Sequence, residues 1–149
     1  MNERVLLDKA RWGLAALWFI WAFLLILVMV VQSILGKYGE QAHDAWSWFI
    51  PTFVPTLLLM IGVLGEGALV NQPDIRTVKK NFYYLTFGIS GGYLFILSLT
   101  ILMEPFAPQC AIALYLLSNF WLGPLQGIAG GAIGLLFTSQ QHEKPPPAP

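Results

Sequence analysis

The sequence predicts an all-α membrane protein, four transmembrane helices in an antiparallel bundle with both termini cytoplasmic. Three observations carry that expectation. The 149 residues contain four apolar runs, each about 20 residues or more, the length that crosses roughly 30 Å of hydrocarbon as a helix. The composition is 56% hydrophobic and 11% charged, with no net charge, which leaves too little polar surface for a soluble domain. Finally, the basic residues sit in alternate gaps between the runs: Arg4, Lys9 and Arg11 before the first, Arg76, Lys79 and Lys80 between the second and third, and Lys144 after the fourth. Lys37 alone lies in the other set of gaps. Short loops rich in Lys and Arg stay on the cytoplasmic side, which fixes the predicted orientation.

The first run spans roughly Trp12 to Ile34. It is too long for a secretory signal and no small-residue cleavage motif follows, so it reads as a retained span. The external connection Leu35 to Ser47 carries Lys37, Glu40, His43 and Asp44, and leads into Trp46 and Trp48 at the headgroup level. The second run, near Trp48 to Val70, holds two prolines. Pro51 suits a first helical turn. Pro55 falls deeper, where its missing N–H should loosen the outer third of the helix, with Thr52 and Thr56 available for the freed backbone groups. Asn71, Gln72 and Pro73 then stop the helix ahead of the basic loop. The third run, Phe82 to Met103, and the fourth, Ala111 to Phe137, are joined by the short segment Glu104 to Cys110 with Pro105 and Pro108. Residues 1–137 thus form one domain, and 138–149, ending in prolines, a disordered cytoplasmic tail. Helix is forced throughout, because lipid-exposed backbone must satisfy its own hydrogen bonds and no alternating barrel pattern is present.

Two sets of residues stand out as candidate sites. Along the fourth run, Gly123, Gly127, Gly130, Gly131 and Gly134 share one helical face with Asn119 and Gln126. Small residues in such a stripe let another backbone approach, so this is a candidate packing or oligomer face, with Gly88 and Gly92 of the third run as a smaller counterpart. Packing inside one chain, contact with a second copy and a groove for lipid or another protein all fit. In the second run, Trp48, Thr52, Pro55, Leu59, Gly62 and Glu66 lie on one face. An ionisable residue within a span is a functional candidate, which makes Glu66, Thr52, Pro55 and Thr56 a candidate pore or gate. An ordinary bundle-facing stripe has the same pattern, and Glu66 lies close enough to the end of its run to reach the interface.

Several chemistries are argued against. The two histidines, His43 and His142, lie outside the runs, so no paired haem ligands exist, and no metal-binding cluster is visible. The serines have no histidine beside them, there is no phosphate-cradling loop, and the basic cluster is too small for nucleic acid. A single cysteine, Cys110, excludes an intrachain disulfide. No cofactor and no catalytic constellation are therefore expected. The leading functional expectation is a non-catalytic subunit or scaffold assembled through the glycine-rich fourth helix. The alternative is a homo-oligomeric ion-conducting pore or membrane-permeabilising effector, with the second helix lining the path. Expected partners are the lipid bilayer and a second copy or another membrane protein, in a bacterial inner or plasma membrane.

Overall fold

The computed structural model describes residues 4–69 and 77–138, and the side chains of 5–65 and 77–137 among them. The order of elements is β1 (Arg4–Leu6), α1 (Leu7–Ile34), α2 (Ala42–Phe49), α3 (Val54–Leu69), β2 (Thr77–Lys79), α4 (Lys80–Met103) and α5 (Ala111–Thr138). Single 3₁₀ turns occupy Gly39–Gln41, Ile50–Thr52 and Glu104–Phe106. Three helices, α1, α4 with its 3₁₀ extension and α5, are long and apolar enough to cross a membrane. A fourth crossing exists if the bent pair Gly39–Thr52 and Val54–Gly65 counts as one span.

The helices are apolar on every side, as lipid requires. In α1, Leu7, Ala10, Leu14, Trp18, Ala22, Leu25 and Met29 recur at steps of three and four and are buried. Its other faces expose Ile20, Phe23, Leu24, Leu27 and Val31. The core joins this stripe to Tyr93, Leu94, Leu97 and Ile101 of α4, and to Tyr115, Leu122, Ala129 and Ile133 of α5. Trp18 stacks on Tyr93 with ring centroids 5.8 Å apart, and the Trp21 indole donates to Ser98 Oγ at 2.7 Å.

Both ends of the bundle are tied by pairings between segments distant in sequence. At one end β1 and β2 form a two-stranded antiparallel ribbon, pairing Arg4 with Lys79, Val5 with Val78 and Leu6 with Thr77. The Arg11 guanidinium at the same end donates to the Phe137 carbonyl near the end of α5 and lies over the Phe137 ring. The amino-terminal segment, the α3–α4 connection and the end of α5 are thus together. At the opposite end, Lys37 pairs with Glu104, and Tyr38 Oη and Tyr115 Oη are 3.0 Å apart. Gly36 positions Lys37 and Tyr38. Its φ of +73° closes α1 in a Schellman cap, with Gly36 N–H donating to Ser33 and Lys37 N–H to Gln32, a turn that favours glycine because a Cβ would clash.

Four details differ from the sequence-based expectation. Helix α1 starts at Leu7, ahead of Trp12, because the basic segment is ordered by the ribbon with β2. The ribbon itself has no sequence signature, since three residues per strand carry too little pattern to be read. Helix also begins at Ala42, inside the segment read as an external loop. Most consequential, the second run is not one helix loosened at Pro55. It breaks around Ile50–Thr52, with a bend of 41°. Pro55 sits in the first turn of α3, where a missing N–H costs little. Helices α4 and α5 begin and end close to where the sequence places the third and fourth runs. The stop at Asn71, Gln72 and Pro73, the basic Arg76, the side chain of Glu66 and the tail from residue 139 onward lie outside the described residues.

Candidate functional site

The break between α2 and α3 creates the site. A helix interrupted away from water frees backbone carbonyls, each of which costs several kcal/mol if left unpaired. Here three are taken by side chains. Thr52 Oγ1 turns back to the Phe49 carbonyl. The Tyr93 hydroxyl of α4 donates to the Thr52 carbonyl at 2.6 Å. The Pro51 carbonyl would ordinarily receive the N–H of residue 55, which is a proline and has none. Gln126 Nε2 of α5 donates to it instead, at 2.8 Å. The break is therefore pinned from within and from two neighbouring helices.

One turn before the break, Trp48 fixes the same elements together. Its ring stacks flat on Tyr115, centroids 4.2 Å apart and planes within 6°, and its indole N–H donates to Asn119 Oδ1 at 3.2 Å. Both amides that the sequence placed on the glycine face of the fourth helix, Asn119 and Gln126, thus reach across to the broken span. Trp48 is level with Asn119 and Pro51 with Gln126, so the broken span and α5 run in the same direction.

Below these contacts the two helices separate. A lateral groove of about 340 Å³ lies between them, lined by Pro55, Thr56 and Leu59 on α3 and by Gly123, Gln126, Gly127 and Gly130 on α5. The two candidate sets from the sequence, one on each helix, supply its two walls. None of the described residues packs closely against these glycines. A Cβ built at Gly123, Gly127, Gly130, Gly131 or Gly134 would meet no atom of the described residues within 4 Å, and the same holds for Gly88 and Gly92 of α4. Helix α4 turns its other face inward, burying Thr86, Ser90, Tyr93, Leu94 and Leu97.

Compared with family models, with curated proteins and with solved structures, the chain has no match.

The stripe read along the second run is divided by the break. Trp48 and Thr52 are buried in helix packing, whereas Pro55 and Leu59 open sideways into the groove. Thr56 is 7% exposed and lines the same groove. Sequence reasoning missed the cluster at the end of the bundle opposite the ribbon. There Tyr38 contacts the Gln32 side chain as well as Tyr115, and Glu104, itself 9% exposed, carries the Lys37 ion pair. Burial, the dominant cause, raises the Tyr38 pKa above its ordinary 10.0, and the nearby Glu104 charge pushes the same way against the Tyr115 hydrogen bond. No local motif signals this cluster, because its members come from separate segments of the chain.

Proposed function

We propose that this is a small tetraspan integral membrane protein acting as a non-catalytic subunit or scaffold, assembled through the glycine face of α5. The observation that carries the reading is the open space in front of that face. Gly123, Gly127, Gly130 and Gly131, at helical spacing, leave room that none of the described residues fills. Helix α5 is also the least buried of the three long spans, with 28% of its apolar stretch covered against 44% for α4. Helices associate in lipid by close backbone approach at small residues, so an unfilled glycine face is a surface for another helix.

The same reading puts both termini in the cytoplasm. Lys9, Arg11, Lys79 and Lys80 belong to the end tied by the β1–β2 ribbon, and basic residues are retained on the cytoplasmic side. The test is the mass of the protein extracted in native lipid. The native chain should run as a complex and Gly127→Leu as a single chain, whereas an unchanged complex in the variant would remove α5 from the assembly surface.

A further inference from the structure

The two ends of the bundle carry opposite charge. Among the described side chains, Lys9, Arg11, Lys79 and Lys80 lie at the ribbon end with Asp8 as the one carboxylate, while Glu40, Asp44 and Glu104 lie at the other end with Lys37. At the ribbon end the cations are set among exposed apolar groups. Strands β1 and β2 run directly into α1 and α4, so the ribbon lies across the starts of both helices. Alternation divides its residues between two faces. Val5 and Val78 are cross-strand partners on one, where Val78 packs on the core. Leu6 and Lys79, both exposed, belong to the other, and the register sets Arg4 opposite Lys79, two basic residues at a position where like charge is unfavourable.

Both helices continue the pattern. Lys9 and Trp12, three residues apart on one face of α1, are exposed, Trp12 by 63%. On α4, Lys80 Nζ lies 5.9 Å over the ring of Tyr84, which is also exposed. The starts of the two helices are held together where the Tyr83 hydroxyl rests against Gly13, 2.9 Å from where a Cβ would stand.

Charge and apolar exposure together select the occupant. A soluble polyanion would match the lysines and leave Leu6, Trp12 and Tyr84 in water, and hydrocarbon would cover those three and leave the lysines unmatched. A phospholipid brings a phosphate at the depth of the cations and acyl chains at the depth of the rings, and only an anionic one brings net charge against a basic excess. Retention of a basic loop on one side of a membrane requires the charge alone; it does not require the apolar groups beside it. We propose that the ribbon end seats an anionic phospholipid, its headgroup matched by Lys9 and Lys79 and its chains lying against Trp12 and Tyr84. This seat is independent of assembly through α5.

Native mass spectrometry tests it on the full chain released from nanodiscs of equal parts phosphatidylglycerol and phosphatidylcholine. Both faces of a nanodisc have the same composition, so the direction of insertion does not enter. The native chain should retain phosphatidylglycerol several-fold over phosphatidylcholine. The double variant Lys9→Gln with Lys79→Gln should retain the two about equally, Lys9→Arg with Lys79→Arg should keep the preference, and so should Glu40→Gln at the opposite end. Equal retention by the native chain would overturn the proposal. A preference that survives the double glutamine variant would overturn it by placing the lipid elsewhere. Displacement of the lipid by an excess of chainless glycerophosphoglycerol would overturn it in favour of a soluble anion.

Discussion

Gln126 on α5 supplies the hydrogen bond that Pro55 withholds from Pro51. The proline lacks the N–H that would close the helical turn onto the Pro51 carbonyl, and Gln126 Nε2 reaches that oxygen at 2.8 Å. A backbone defect in one span and a polar side chain in another, 75 residues apart, are thus one feature.

That relationship predicts a coupled response. Gln126→Leu should destabilise the protein by about 0.5–1.5 kcal/mol, the net value of a typical hydrogen bond. In a Pro55→Ala background, where residue 55 regains its N–H, the same change should cost less. Thermal unfolding of the four variants in lipid nanodiscs gives the coupling, and additive effects would mean that the two residues act independently.

Tyr93 should matter through its hydroxyl. Its bond to the Thr52 carbonyl is buried, so Tyr93→Phe leaves an acceptor unpaired at a cost of about 1–3 kcal/mol, while the stack on Trp18 is retained. Intact stability in Tyr93→Phe would show that the break does not depend on this donor.

At the end of the bundle opposite the ribbon, Lys37→Met should be more damaging than the double change Lys37→Met with Glu104→Gln. Removing Lys37 strands a Glu104 carboxylate that is 9% exposed, and an unpaired buried charge costs more than an absent pair. Unfolding midpoints of the single and double variants decide the order.

The Tyr38 shift gives a pH dependence with a definite sign. Its folded-state pKa is raised above 10.0, so the unfolded chain gives up this proton first as pH rises. The stabilisation is complete below the unfolded-state pKa and is lost as pH climbs through the folded-state one. Unfolding midpoints of the native chain and Tyr38→Phe, compared at about pH 8 and above about pH 10, should show a smaller alkaline loss in the variant. Equal losses would assign the effect to other groups.

The sequence by itself determined the apolar helices, their approximate ends and the residue types on each face, because hydrocarbon leaves a chain few options. The length of a span, the exclusion of charge and the bias of basic residues toward alternate gaps are all readable residue by residue. The candidate residues on α5 were legible for the same reason: glycine and amide spacing is a property of one helix. Only the tertiary structure decided where the second apolar run breaks, that Pro55 begins a helix and does not kink one, and that Tyr93 and Gln126 attend the freed carbonyls. It also decided that the α3 and α5 candidates face one groove, and that Lys37 and Glu104 meet. Each of these depends on side chains from distant segments competing for the same backbone groups or charges, and such a competition has no local signature in the sequence.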